Sequence, residues 1–127
     1  MNPVVHFEMP AEDENRVVKF YEGVFGRQMQ ILGEDMGSYV LASTTETDND
    51  GRPKNPGAIN GGFFVKSPEN SAPSVVISVD DVRSHARKVA GAGGKVLGEP
   101  TEIPGIGLYV SFVDPEGNRL SMLQPSR

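Results

Sequence analysis

Short runs in which apolar and polar residues alternate account for most of the chain, and this period of two is typical of half-buried β-strands. The first run ends at Pro10 and directs His6 and Glu8 to the face opposite its apolar residues. Gly61 and Gly62 lie inside the fourth run and indicate a bulge or the close approach of a ligand or another backbone. We predict strands at residues 4–9, 27–32, 38–43, 58–65, 74–79, 95–101, 108–113 and 120–123.

Two segments between these runs carry apolar residues at helical spacing instead. The first follows Asp13, a side chain suited to cap a helix N-terminus, and ends at Gly26, which suits a C-cap. The second begins at Asp80 and Asp81 and ends in the glycine-rich stretch 91–94. We therefore predict one amphipathic helix after the first strand and one after the fifth.

The order strand, helix, three strands thus occurs twice, which indicates an internal duplication of structure. We place one module at about residues 3–66 and the other at about 73–125 of a single domain, joined by a proline- and serine-rich linker. A helix covers one face of each sheet. Pairing the two uncovered faces would enclose a cavity, a usual place for a small-molecule site.

Composition narrows the function classes. The chain has 127 residues, no cysteine and a net charge of -5, which argues against a disulfide framework, a thiolate nucleophile and a nucleic-acid partner. No apolar run reaches the length of a membrane span, and the first residues lack the pattern of a signal peptide. We therefore expect a cytoplasmic protein with no membrane partner.

Three sequence features resemble one known superfamily. They are Ala-Glu-Asp-Glu-Asn-Arg-Val-Val-Lys-Phe-Tyr-Glu-Gly-Val-Phe-Gly in the first half, Val-Asp-Asp-Val with Ala-Gly-Gly-Lys-Val in the second, and the turn Asp114-Pro-Glu-Gly-Asn118. The chain is similar to the vicinal oxygen chelate superfamily of glyoxalase I, bleomycin-resistance proteins and extradiol dioxygenases. The resemblance implies an α+β fold of two βαβββ modules. That fold serves isomerases, dioxygenases, metal-dependent resistance enzymes and metal-free binding proteins.

The resemblance also implies positions for a divalent metal, which relatives hold with His or Glu on inner strand faces. Those positions look like Val4, Asn60, Ser74 and Ser121 here. Valine cannot ligate, and serine is a poor ligand for a divalent ion. His6 and Glu8 share a predicted face and could bind metal, but two ligands are too few for a tight site. We therefore predict no metal ligands and no cofactor.

Polar residues on the predicted inner faces form the candidate ligand site, with Tyr39, Phe64 and Tyr109 as its aromatic walls. An alternative is that small hydroxyl residues merely fill a narrow wet barrel. The predicted ligand-binding residues are His6, Glu8, Tyr39, Asn60, Phe64, Ser74, Ser78, Tyr109 and Ser121.

Three functions remain open at this point. The first is a small-molecule binding protein that works without the usual metal. The second is a metal-dependent lyase, isomerase or dioxygenase, or an enzyme in which His6 and Glu8 act as a general base pair. The third is a structural or regulatory dimer. A homodimer is expected in each case, and His85, on the second helix, is expected at the surface or at an interface.

Overall fold

The computed structural model describes residues 1–126, which form eight strands and two α-helices. In chain order the elements are β1 (Val4–Ala11), α1 (Glu14–Phe25), β2 (Gln28–Ile31), a short 3-10 helix (Glu34–Met36), β3 (Val40–Ser43), β4 (Asn60–Val65), β5 (Ser74–Ser78), α2 (Val82–Gly91), β6 (Lys95–Ile103), β7 (Gly107–Val113) and β8 (Arg119–Pro125). The predicted α+β class and the repeated order of strand, helix and three strands are confirmed. Within the described residues, no helix is long and apolar enough to cross a membrane.

The chain divides into two compact units. The first unit is His6–Pro73, and the second contains residues 1–5 together with the segment from Ser74 onward. The start of the chain belongs to the second unit because the amide of Ser78 donates a 2.9 Å hydrogen bond to the carbonyl of Pro3. Strand β1 therefore contributes its first two residues to one unit and the rest to the other.

In the first unit the strands follow the order β2-β3-β4-β1, with β1 parallel to β4 and the other pairs antiparallel. Helix α1 covers the face that carries the buried side chains Val40, Ala42 and Phe63. As predicted, Asp13 caps α1 by accepting a 3.0 Å hydrogen bond from the amide of Arg16. Gly26 ends the helix in the left-handed conformation, with φ 67°.

In the second unit the order is β5-β8-β7-β6, with β5 parallel to β8 and the other pairs antiparallel. Helix α2 begins after Asp81, whose carboxylate accepts from the amides of Arg83 and Ser84 at 3.1 Å. In the turn between β7 and β8, Asp114 accepts from the amides of Glu116 and Asn118 at 2.9 Å. The core of this unit consists of Val79, Val82, Val110, Phe112 and Met122.

Some predicted boundaries were wrong. Strand β1 does not end at Pro10, because the pairing with β4 continues to Ala11 opposite Val65. A proline removes only its own N–H donor, so a strand can pass through it where that donor is not needed. Strand β6 extends to Ile103, with a bulge between Leu97 and Thr101.

Candidate functional site

In the first unit, the predicted polar residues lie on the sheet face that points away from α1. Strand register places His6 beside Asn60, Glu8 beside Gly62 and Pro10 beside Phe64. Because side chains alternate along each strand, the neighbouring strands β2 and β3 contribute every second residue to the same face. We call this surface the polar face; its residues are His6, Glu8, Pro10, Gln28, Gln30, Tyr39, Leu41, Ser43, Asn60, Gly62 and Phe64.

Tyr39, the residue just before β3, meets Glu8 of β1 on the polar face, although β4 lies between those two strands. The Tyr39 hydroxyl donates a 3.1 Å hydrogen bond to Glu8 Oε2. This contact requires a glycine at position 62, because a Cβ there would overlap the Tyr39 ring. At Gly61 a Cβ would overlap Phe7. The close approach expected at the two glycines is therefore real. The Tyr39 side chain approaches Gly62, and Phe7 of the neighbouring strand β1 approaches Gly61.

The turn before Tyr39 has an unusual backbone. Gly37 and Ser38 both adopt positive φ, 70° and 55°, and Ser38 is the only non-glycine residue with positive φ among the described residues. Positive φ is unfavourable for a residue with a Cβ, and it occurs mostly where the surrounding structure imposes it. Here it follows the 3-10 helix and leads directly into Tyr39.

His6 is partly buried beside Asn60. Burial lowers the pKa of His6 from its ordinary value of 6.5, because desolvation disfavours the imidazolium. The ring is therefore neutral at pH 7 and offers one donor and one acceptor nitrogen. The described hydrogen bond of Glu8 is the one that it accepts from Tyr39.

Asn60 holds the segment that follows β3. Its side-chain oxygen accepts hydrogen bonds from the amides of Thr44 at 2.7 Å and Thr45 at 3.1 Å. These two bonds occupy both lone pairs of an amide oxygen. Asn60 therefore shapes the edge of the polar face, and its oxygen is committed to the backbone.

The second unit brings Tyr109 and Ser121 together on its face opposite α2. Ser121 is only 3% exposed, and its hydroxyl donates to the Tyr109 hydroxyl at 2.7 Å. Ser111, directly opposite Ser121 in the β7–β8 register, adds a 2.9 Å hydroxyl contact. Sequence reasoning missed Ser111. Its position two residues after Tyr109 in an alternating strand was the signal that it shares that face.

Ser74 and Ser78 lie on β5 in the same unit. Val76 is opposite Ser121, and Ser78 is opposite Leu123, so alternation places both serines on the side of Ser121. The Ser74 hydroxyl makes a 3.4 Å contact with the carbonyl of Val75. The nine predicted ligand-binding residues thus fall into two groups, five in the first unit and four in the second.

Two clefts lie beside the β1–α1 turn of the first unit. A cleft of about 420 Å³ includes Phe64, the one predicted residue that lines either of them, together with Ser38. Three carboxylate residues, Glu12, Asp13 and Glu14, line the same cleft. The second cleft, of about 360 Å³, is lined by Phe20, Arg16 and Lys66 among others.

The residues at the implied metal positions do not fit a divalent ion. In the second unit Val4 has no donor atom, and the Ser121 hydroxyl is buried between two other hydroxyls. In the first unit the Asn60 oxygen is engaged by two backbone amides. Across residues 1–126, no group of three or more His, Cys, Asp or Glu side chains is placed to hold a metal.

Comparison with known proteins places these observations in one family. The model of the Glyoxalase/Bleomycin resistance protein/Dioxygenase superfamily matches residues 4–122. CFP32 of Mycobacterium tuberculosis, whose name describes it as a glyoxylase, is 30% identical over 122 residues, which are 94% of this chain and 42% of CFP32. The chain thus spans less than half the length of that relative.

Two further relatives match over nearly their full lengths. Lactoylglutathione lyase of Haemophilus influenzae is 24% identical over 123 residues, which cover 95% of this chain and 91% of that enzyme. A variant of Streptomyces coelicolor methylmalonyl-CoA epimerase, in complex with 2-nitronate-propionyl-CoA, superposes with a TM-score of 0.70 at 16% identity. This match covers 99% of the chain and 96% of the epimerase. At 16% identity it shows a shared fold and nothing about function.

Proposed function

Because this chain belongs to the Glyoxalase/Bleomycin resistance protein/Dioxygenase superfamily, we propose that it binds a small molecule without the divalent metal that the family usually uses. The proposal rests on the residue types at the positions where relatives hold a metal. Positions expected to hold metal ligands carry Val4, Asn60, Ser74 and Ser121, none of which is His, Cys, Asp or Glu. Organic groups of the polar face supply hydrogen bonding instead.

Three features of the polar face support ligand binding. The Glu8 carboxylate is oriented by Tyr39, so its acceptor atoms have a defined direction. His6 is neutral at pH 7, which lets it both donate and accept. Phe64 and the Tyr39 ring provide apolar surface next to these polar groups. A few oriented polar groups among aromatic walls are typical of small-molecule sites.

We do not expect this chain to catalyse the reactions named for its relatives, because its residues at the metal positions are not suited to hold a metal. In this family a metal ion usually polarises the substrate oxygen, and the corresponding positions offer no His or Glu here. We therefore expect no lactoylglutathione lyase activity. An assay of the purified protein with and without added Zn²⁺ or Ni²⁺ tests this, and metal-stimulated turnover would contradict the proposal.

A second candidate is metal-independent proton transfer with His6 as the base. It is favoured by the lowered pKa of His6, which keeps an unprotonated nitrogen available at pH 7. The pair with Glu8 expected from the sequence stays a prediction; the described hydrogen bond of Glu8 is the one from Tyr39. Exchange of a carbon-bound proton next to a carbonyl for deuterium would reveal such chemistry. Its loss in His6→Gln but not in His85→Gln would assign the base.

The main proposal is tested by a binding screen under chelation. Protein dialysed against EDTA is screened by thermal shift and then by ¹H–¹⁵N NMR against a chemically diverse library. We expect binders whose shifts centre on Tyr39 and Gly62, and whose affinity survives EDTA. Weaker binding in His6→Gln, with His85→Gln as the matched control, would support the site. Stoichiometric bound metal, or binding that EDTA abolishes, would overturn it.

The homodimer and the cytoplasmic location predicted from the sequence belong to the same proposal. Proteins of this fold often form dimers. Sedimentation velocity at several protein concentrations tests whether this chain forms a homodimer. A species of single-chain mass at all concentrations would remove the homodimer from the proposal.

A further inference from the structure

We infer that the open edge of β2 is an interface at which two copies of this chain pair antiparallel, which rests on the homodimer of the proposed function and names its surface. Strand β2 (Gln28–Ile31) is the outermost strand of the first unit, and among the described residues only β3 pairs with it. Its other edge therefore presents backbone groups that a further strand can bind.

Two residues of β2 direct their backbone groups at the open edge. The amide of Leu32 donates a 2.9 Å hydrogen bond to the carbonyl of Tyr39, which continues the register of β2 with β3. Because bonded and non-bonded pairs alternate along an antiparallel ladder, Gln30 also bonds β3. Met29 and Ile31 therefore direct their N–H and C=O groups away from β3 and toward the open edge.

The edge strand of the second unit is protected against pairing, and β2 is not. Strand β6 follows its helix in the repeated order as β2 does, and it contains Pro100 and a bulge between Leu97 and Thr101. It also carries charged side chains, which are Lys95, Glu99 and Glu102. Proline, bulges and charges keep an edge strand from binding another chain. The four residues of β2, Gln-Met-Gln-Ile, include no proline or charge, and their register with β3 has no bulge.

Apolar side chains are exposed beside the same edge. Ile31 is 41% exposed, and Phe25, which ends α1 just before β2, is 63% exposed. Met29 packs against the core under α1, so alternation places Ile31 on that face of the sheet. Among the described residues, neither α2 nor β6 exposes a large hydrophobic side chain in this way. Exposed apolar side chains next to an unprotected edge favour the binding of another chain.

A second copy fits this edge because antiparallel pairing of β2 with itself satisfies both features. With Gln30 opposite Gln30 of the second copy, Met29 of each copy faces Ile31 of the other. Each of these pairs then exchanges both of its N–H···O bonds. The Met29 side chain of one copy covers Ile31 of the other on the α1 side. The two-fold axis is perpendicular to the sheet, so the polar faces of both copies lie on the same side.

The charges at the two ends of β2 are complementary in this register. Arg27 precedes β2, and within residues 1–126 its guanidinium lies among aromatic rings without a carboxylate at ion-pair distance. Glu34 and Asp35 begin the 3-10 helix that follows β2. The pairing sets Arg27 of one copy level with residue 33 of the other, next to these two carboxylates. Opposite charges therefore meet at both ends of the interface, which favours a second copy as the occupant.

NMR spectra of the native chain at different concentrations test the surface directly. The interface is short, so we expect a dimer that dissociates on dilution into the micromolar range. As the protein concentration rises about a hundredfold through that range, the Met29 and Ile31 amides should shift and exchange more slowly with deuterium. They do so because they then donate to the second copy. The amides of β6 are the internal control and should not change.

Matched variants test the edge and its charges by sedimentation velocity. Gln30→Lys places two ammonium groups opposite each other at the two-fold axis and should weaken dimerisation at least about tenfold. Thr101→Lys introduces the same charge on the β6 edge and should leave dimerisation unchanged. Glu34→Gln removes a complementary charge and should weaken dimerisation about threefold. Glu99→Gln removes an equal charge from β6 and should have no effect.

The outcomes distinguish this surface from the homodimer on which it rests. If the chain dimerises while the Met29 and Ile31 amides stay unchanged, the dimer uses another surface and the β2 interface is overturned. Equal dimerisation of Gln30→Lys and Thr101→Lys would overturn it as well. Should Gln30→Lys not fold, the amides of the native chain decide the same question. A species of single-chain mass at all concentrations would refute both the surface and the homodimer, and ligand binding would still be tested by the screen under chelation.

Discussion

The Tyr39 hydroxyl donates a 3.1 Å hydrogen bond to Glu8 across the backbone of Gly62, so the residue just before β3 contacts a side chain of β1, which is not a neighbour of β3. Strand β4 separates them in the order β3-β4-β1. The missing side chain at Gly62 leaves the space that the Tyr39 ring fills. Gly62 therefore makes room for the side chain that donates a hydrogen bond to the carboxylate of the candidate site.

Gly62→Ala should displace the Tyr39 ring, because the new Cβ would overlap it. We expect a loss of about 1–3 kcal/mol in the free energy of unfolding, typical of overpacking at a well-packed site. Urea denaturation measures this loss. The matched control is Gly23→Ala in α1, where a Cβ meets no atom within 4 Å. That change should stabilise the chain by up to about 1 kcal/mol, and equal effects at both positions would contradict the interpretation.

The stability of the chain should fall as the pH decreases below 6.5. Burial lowers the folded-state pKa of His6 from 6.5, so between the two values the unfolded chain binds a proton that the folded chain does not. The stability contributed by the neutral ring is complete above pH 6.5 and is lost as the pH falls through the lowered pKa. One such proton changes the free energy of unfolding by at most about 1.4 kcal/mol per pH unit.

Urea titrations between pH 5 and 7.5 test this dependence. His6→Gln should flatten the curve in that range, while His85→Gln should keep its slope. The carboxyls of Asp81 and Asp114 also have lowered pKa values, caused first by the hydrogen bonds from Ser84 and Asn118. Their contributions are lost only as the pH falls below about 3.8, outside the range measured. An unchanged slope in His6→Gln would show that His6 is not the titrating group.

Ser121→Ala should destabilise the second unit by about 0.5–1.5 kcal/mol. The hydroxyl is buried, and it bonds both Tyr109 at 2.7 Å and Ser111 at 2.9 Å. Removing it leaves two neighbouring hydroxyls with fewer partners in a poorly hydrated place. Thermal unfolding of Ser121→Ala is compared with that of Ser71→Ala, an exposed serine in the linker. Equal melting temperatures for the two variants would show that the network contributes no stability.

Arg27→Lys should destabilise the first unit by about 1 kcal/mol. The guanidinium lies within 6 Å of the ring centroids of Phe7, Tyr21 and Phe25, and an ammonium cannot stack in the same way. Its buried Nη1 has no hydrogen-bond partner among the described residues, so ring contacts rather than hydrogen bonds hold that end. Chemical denaturation provides the measurement. The exposed Arg83→Lys on α2 is the control and should be neutral.

Local patterns were enough to predict much of the fold. The period of two located the strands and separated Phe7 and Met9, which pack under α1, from His6 and Glu8. Cap chemistry located Asp13 and Gly26 because these residues act on their own backbone neighbours. Such interactions span a few residues, so the sequence contains all the atoms that take part.

The sequence alone therefore determined the family, the repeated order of elements, the sheet faces and the absence of His or Glu at Val4, Asn60, Ser74 and Ser121. Only the tertiary structure decided that Tyr39 reaches Glu8, that Asn60 binds the backbone after β3, and that Ser121 is enclosed by hydroxyls. These contacts join residues 10 to 31 positions apart. Their partners follow from strand order and register, which alternation along a single strand does not specify.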